Sequence, residues 1–210
     1  DRIDGLVRHT PVLPIDAGLT LKLDLLQPTG SFKVRGAFSL LTAHPEAERV
    51  VAASGGNFGL AVAHAAAHLG KTADVFIPST SPAIKVARVE AAGATVHIVD
   101  GYYDAAYAAS REFAAGADAL AAHAYDDPDV VAGQGTCGRE IMEQVPDVDT
   151  VVVAVGGGGL IGGIASWIRD DAKVVAVETE GTRGLNAALE AGRPVPIEIS
   201  GIAADSLGTS

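Results

Sequence analysis

The sequence predicts an α/β protein built on open, mostly parallel sheets flanked by helices. Three observations carry this. Short β-branched runs alternate with alanine-rich stretches along the chain. Glycine closes several of those alanine-rich stretches. The run Asp149–Val155 (DTVVVAV) is almost wholly apolar, as a strand buried on both faces should be.

The elements follow in order. Arg49–Ser54 (RVVAAS) reads as a strand, and the stretch from Asn57 as a helix closed by Gly70. Ala73–Pro78 is the next strand. A helix follows with Ser81 as N-cap, Pro82 at its first position and Gly93 as its stop. Ala94–Val99 is a third strand and Tyr103–Ala114 a third helix. Asp126 and Asp127 read as helix-start residues, and the helix they open is expected to break at Gly133-Gln134-Gly135. After Asp149–Val155 come a helix from Leu160, a strand Lys173–Glu178, and a helix from Gly184 to Ala191 ended by Gly192. Trp167 and the aliphatic positions around it are expected in the core. Open parallel sheets bind ligands beyond the carboxyl ends of their strands. That directs attention to Ser54–Gly59, Pro78–Ser81, Gly101–Asp104, Gly156–Gly159 and Glu178–Gly184.

Bulk properties narrow the function. The 210 residues are 48% hydrophobic and 20% charged, with a formal net charge of −11. Such a surface repels nucleic acid and anionic membranes, and no basic cluster offsets it. A single cysteine, Cys137, allows no internal disulfide and fits a reducing compartment. It reads as a small buried residue. The first residues carry no apolar signal core, and no apolar run is long enough to span a bilayer. A cytoplasmic protein acting on a small molecule is the expectation.

Three stretches carry chemistry. In Val153–Gly163 (VAVGGGGLIGG) four glycines join a strand to a helix. This suits close backbone approach and a phosphate at the helix N-terminus. A tight turn with no ligand is the plain alternative. Gly157, Gly159 and Gly162 also satisfy G-x-G-x-x-G, with Glu178 at about the distance of a ribose-binding acid, so a nicotinamide dehydrogenase fits this stretch equally well. In Ala52–Ala61 (AASGGNFGLA) the N–H groups around Gly55–Phe58 can gather on a carboxylate. Simple capping by Ser54 or Asn57 is the alternative. In Thr29–Ala37 (TGSFKVRGA) Lys33 stands between Phe32 and Val34, where desolvation favours a neutral, nucleophilic amine. A lysine whose stem packs while its head reaches water is the alternative. Together a carbonyl-seeking lysine, a phosphate cup and a carboxylate loop describe pyridoxal phosphate with an amino acid attached. His64 and His68 lie four residues apart on one helix but lack further metal-ligand signals, and no metal site is expected.

TGSFKVRGA, SGGNFG, GQGT and VGGGGLIGG, in this order, resemble the threonine/serine dehydratase branch of the fold-type II pyridoxal-phosphate enzymes. HTPVL near the start and IAADSLGTS at the end are similar as well. Val34, where related synthases carry aspartate, points to the dehydratase branch. The resemblance implies two interleaved α/β parts: a larger cofactor-binding domain of residues 1–48 and 127–210, incomplete at its C-terminal end, and a smaller inserted domain of 49–126. It implies that Lys33 forms the Schiff base with pyridoxal 5'-phosphate and acts as the catalytic base. Phe32 packs beside the ring, Asn57 bonds the phenolic oxygen, and Gly156, Gly157, Gly158 and Gly159 bind the phosphate. Ser54, Gly55, Asn57 and Phe58 take the substrate carboxylate.

The implied reaction is loss of water from L-threonine or L-serine, giving a 2-oxo acid and ammonia, in a cytoplasmic homodimer. Serine racemases of this branch carry a second base, a serine, two positions before the loop asparagine. Here that position is Gly55, so racemisation is expected to be slow. A cation site through Glu178 is not expected, because the usual second acid aligns with Gly184, although Glu180 lies near and could substitute; a solvated strand end is the favoured reading of Glu178. Family members run on past Ser210 and draw the group facing the pyridine nitrogen from there; the join at Gly18–Leu19 is also short. Other readings are a serine racemase, a 3-hydroxyaspartate dehydratase, an NAD-dependent dehydrogenase and a non-catalytic fragment or relative.

Overall fold

The computed structural model describes residues 2–16 and 18–208. Its contacts divide the chain into two units, residues 1–133 and 134–210.

The first unit is built on a four-stranded, all-parallel sheet of β3 (Arg49–Ala53), β4 (Thr72–Pro78), β5 (Thr95–Val99) and β6 (Leu120–Ala122), in the order β5-β4-β3-β6. Strand alternation sends Val50, Ala52, Val75 and Ile77 to one face. There they pack with α1 (Lys33–Ala43) and α2 (Asn57–His68) through Phe38, Leu41, Val62 and Ala65. Val51 and Phe76 point to the other face and meet Ala106 and Ala114 of α4 (Tyr103–Ala117). The helix α3 (Ala83–Ala91) links β4 to β5. Gly70 and Gly93, just past α2 and α3, take positive φ (69° and 96°), the backbone state that ends a helix at low steric cost.

The strand order reverses once. From β3 the chain winds outward through β4 to β5, and α4 then carries it back to β6 on the opposite side of β3. The carboxyl ends of β3 and β6 therefore flank a topological switch point, where the loops leaving the two strands diverge.

An antiparallel hairpin precedes this sheet, β1 (Val12–Asp16) with β2 (Leu19–Lys22). Sequence reading did not anticipate it or β6. The second unit holds a parallel pair, β7 (Thr150–Ala154) and β8 (Lys173–Val177), packed on α6 (Gly159–Ile168). Its core joins Val151, Val153, Ile164 and Ile168 to Cys137 and Ile141 of α5 (Pro128–Gln144). After β8 come α7 (Gly184–Ala191) and the short α8 (Ala204–Leu207).

Several expectations are corrected. The helix α5 does not break at Gly133-Gln134-Gly135. A Cβ on Gly133 would lie 2.5 Å from the Arg35 carbonyl oxygen, and one on Gly135 would lie 3.0 Å from that of Gly163. These glycines bring α5 close to its neighbours. β7 is buried on one face only: Val151 and Val153 are inside, whereas Val152 is 64% exposed. Trp167 is 52% exposed while Ile164 and Ile168 are buried, so it lies on the outward side of α6. Ser81 does not cap α3. The helix starts at Ala83, with Pro82 in the cap position and no side-chain cap bond. Asp127 does start α5, accepting the Asp129 and Val130 N–H groups at 2.8 and 3.0 Å; Asp126 does not share that role. Cys137 is buried, as expected. His64 and His68 pack edge-on against Phe38.

Candidate active site

Lys33 is the first residue of α1, directly after the turn Thr29–Phe32. Its side chain runs to the switch point, where Nζ donates to the Ala124 carbonyl at 2.9 Å, two residues beyond β6. Nζ lies 5.1 Å from the centre of the Phe32 ring and 5.8 Å from that of Phe58. Burial pushes the Lys33 amine down from 10.5 to about 8. About a tenth is therefore the free amine at pH 7, against well under a thousandth for an ordinary lysine, and a nucleophile toward an aldehyde must be in that form. The lysine head is partly buried and bonded to a carbonyl rather than free in bulk water.

The loop after β3 reaches the same switch point. Ser54 N–H donates to the Phe76 carbonyl at 3.1 Å, and Ser54 Oγ accepts the Gly56 N–H at 3.2 Å. The helix α2 begins at Asn57 with Gly56 as its N-cap and no side-chain cap bond, so simple capping by Ser54 or Asn57 does not account for the loop. Phe58 is buried in the core and anchors the first turn. A Cβ on Gly59 would stand 2.1 Å from the Ser54 carbonyl oxygen, so only glycine lets the helix fold back onto the loop there. The first-turn N–H groups of α2 have no intrahelical acceptor and form an anion-seeking edge.

In the second unit, Gly156, Gly157 and Gly158 connect β7 to α6, which opens at Gly159. Gly158 caps α6 at φ 84°, a conformation that favours glycine. A Cβ on Gly156 would come within 3.0 Å of the Leu207 carbonyl oxygen. Gly162 is inside α6, its N–H bonded to the Gly158 carbonyl at 2.8 Å. Glu178 is not a solvated strand end. Its two carboxylate oxygens accept the Leu185 and Asn186 N–H groups at 2.7 and 2.9 Å, closing the first turn of α7. That occupies the acid which the dinucleotide reading gives to a ribose. Among the described residues no three His, Cys, Asp or Glu side chains cluster as metal ligands. No helix among them is long and apolar enough to cross a membrane.

Three residues near the site were not singled out from sequence as site residues. Ala124 acts through its carbonyl, which no side-chain pattern reveals. His123 Nδ1 accepts the Asp126 N–H at 2.9 Å and the Tyr125 N–H at 3.4 Å. Ser81 Oγ reaches the Ser54–Asn57 loop: a Cβ on Gly55 would stand 2.5 Å from it.

The family model for pyridoxal-phosphate dependent enzymes matches residues 3–210. The chain belongs to this family. It is 42% identical over 193 residues to an L-threonine ammonia-lyase of Thermotoga maritima, covering 89% of this chain and 48% of that one. It is 36% identical over 220 residues to an L-threonine ammonia-lyase of Geobacter sulfurreducens, covering 99% and 55%. The chain thus spans about half the length of these relatives. Among solved structures it is similar to maize serine racemase (TM-score 0.93, 32% identity, 99% of this chain and 67% of that one). It is also similar to the processed form of threonine deaminase isoform 2 from Solanum lycopersicum (TM-score 0.91, 29% identity, 98% and 64%). Membership in this family replaces the dehydrogenase reading.

Proposed function

We propose that this chain carries the lyase machinery of a threonine/serine dehydratase, removing water from a hydroxy amino acid to give a 2-oxo acid and ammonia. The observation that carries the reading is Lys33: a partly buried, poorly solvated amine at the switch point of a parallel sheet, in a chain whose relatives are L-threonine ammonia-lyases.

The residues fit pyridoxal 5'-phosphate in their chemistry. Lys33 offers an amine for the aldehyde, with Phe32 as the apolar neighbour of a ring. Asn57 is exposed, with no hydrogen bond from its side chain among the described residues, and its amide is suited to a phenolic oxygen. Gly156, Gly157, Gly158 and Gly159 offer backbone N–H groups to the phosphate. When bound, the cofactor supplies an electron sink for charge at the substrate α-carbon.

The chain's own groups do the rest. The N–H groups of Gly55, Asn57 and Phe58, with Ser54 Oγ, hold the substrate carboxylate and orient the α-carbon. Lys33 Nζ, as the free amine, would accept the α-proton; an amine with a value of about 8 is basic enough to take it and loses it readily again. The phenylalanine rings exclude water from that transfer.

The likeness to maize serine racemase favours racemisation as a second reading. Gly55 argues against it, because glycine offers no proton-transferring group where those racemases place their second base. Assaying 2-oxo acid release from L-threonine, L-serine and 3-hydroxyaspartate, alongside D-serine formation, tests both. The proposal expects 2-oxo acid from at least one substrate with little D-serine; equal rates of the two would overturn it. A cytoplasmic homodimer completes the proposal, and light scattering reads its oligomeric part.

A further inference from the structure

We propose that His123 is a positioning residue for Lys33, fixing the 123–126 turn whose Ala124 carbonyl holds the lysine amine. The inference rests on Lys33 being the reactive amine proposed above.

The geometry is direct. Lys33 Nζ is tied to the protein through the Ala124 oxygen at 2.9 Å. Ala124 follows the three-residue strand β6 and stands within the loop that leads to α5, so no sheet ladder holds its carbonyl in place. What closes the loop is the His123 ring: Nδ1 accepts the N–H groups of both Asp126 and Tyr125. The ring is steadied edge-to-face by Tyr107 on α4, at 5.9 Å, and by Tyr125, at 4.6 Å. Two donors converging on Nδ1 require a lone pair there. The imidazole must therefore be neutral, with its proton on Nε2.

The surroundings favour that state. Burial lowers the His123 value below its ordinary 6.5; Asp126 and Asp127 oppose this, while Lys33 and Arg111 reinforce it. Protonation in acid converts Nδ1 from acceptor to donor, sets N–H against two N–H groups, and releases the turn. The Lys33 amine then loses its tether. Lysine reactivity is thus gated by a histidine that never touches the reacting atoms.

The test uses the full chain and two variants. His123→Asn keeps an acceptor oxygen close to the Nδ1 position, whereas His123→Leu removes it. Lys33 reactivity is read by competitive acetylation with acetic anhydride and peptide mass spectrometry across pH 5–9, and separately by the rate of pyridoxal phosphate capture. Nitrogen-15 NMR of the wild-type ring reads the tautomer. We expect an Nε2–H ring, and wild-type Lys33 labelling with an acid limb beyond that of amine protonation, at the His123 midpoint. In His123→Leu, aldehyde capture should slow about tenfold or more, as misplacement of a reacting group does. In His123→Asn it should return to within about threefold, with the extra acid limb gone. An Nδ1–H ring, an unchanged acid limb in His123→Asn, or wild-type capture in His123→Leu would overturn the proposal. If the wild type captures no pyridoxal phosphate, the cofactor reading fails, while the acetylation profiles still decide whether His123 governs Lys33.

Discussion

Ser81 Oγ fills the space that a side chain on Gly55 would occupy: a Cβ there would stand 2.5 Å from the hydroxyl and 3.0 Å from Ile77 Cγ2. The two positions are coupled. Gly55→Ser should cost about 1–2 kcal/mol in thermal or urea unfolding, because the Ser81 hydroxyl must rotate away and Ile77 must give. Adding Ser81→Ala should recover much of the loss, with a coupling energy of about 0.5–1.5 kcal/mol in a double-mutant cycle. Additive effects would show that the loop relaxes without Ser81.

Lys33→Met should stabilise the cofactor-free protein at neutral pH by about 1–3 kcal/mol, because a poorly solvated ammonium is removed from the interior. The folded value is about 8 against 10.5 for an ordinary lysine. Between those values the unfolded chain binds more protons, so wild-type stability rises with pH across that window. The advantage of Lys33→Met is therefore full below pH 8 and closes toward pH 10.5. Urea unfolding of both proteins at several pH values checks it.

Arg35, in the VRGA segment after the lysine, is wholly buried; its Nε and one terminal nitrogen meet the Asp24 carboxylate at 2.8 Å each. Thr10 Oγ1 also donates to that carboxylate, at 2.7 Å. Burial resists the charge on Asp24, yet hydrogen bonding to Arg35, its charge, Thr10 and Lys22 hold the carboxyl below its ordinary 3.8. Removing Asp24 takes two charge-assisted hydrogen bonds from a buried guanidinium: Asp24→Ala should cost about 3–5 kcal/mol at pH 7. A lowered carboxyl contributes fully above its unfolded value. The gap between wild type and variant should hold above about pH 5 and narrow as acid takes the pH below 3.8.

Glu178→Gln should cost about 1 kcal/mol, since the amide retains one acceptor but loses the charge at the start of α7. Circular dichroism during urea unfolding reads this. A drop much beyond about 2 kcal/mol would mean that Glu178 holds more than the helix end.

The strand–helix alternation was legible because β3, β4 and β5 carry β-branched residues and the intervening helices end on glycine. The β1–β2 hairpin was missed although its turn signal is present, with Asp16 accepting the Gly18 N–H at 3.0 Å. Leu13, Ile15, Leu19 and Leu21 are all 42% exposed or more, so no buried face imposed a period on the sequence. β6, Leu-Ala-Ala, uses the same small residues as the helices. Gly133 and Gly135 looked like breakers because a glycine that lets two helices touch reads the same as one that ends a helix; only the facing Arg35 and Gly163 carbonyls distinguish them. At the site, Lys33 and the Ser54–Phe58 loop were readable as side-chain and glycine patterns. The Ala124 carbonyl was not, because its contribution is backbone placement at a switch point that only the strand order creates.

The most direct measurement is where pyridoxal phosphate attaches. Purified protein is incubated with the cofactor, its visible spectrum recorded, then treated with borohydride, digested and mapped by mass spectrometry. A visible absorption band that borohydride abolishes, with one phosphopyridoxyl group on the Lys33 peptide and none in Lys33→Ala, is the expected result. A protein that stays colourless and unlabelled, or that carries the label on another lysine, would contradict it.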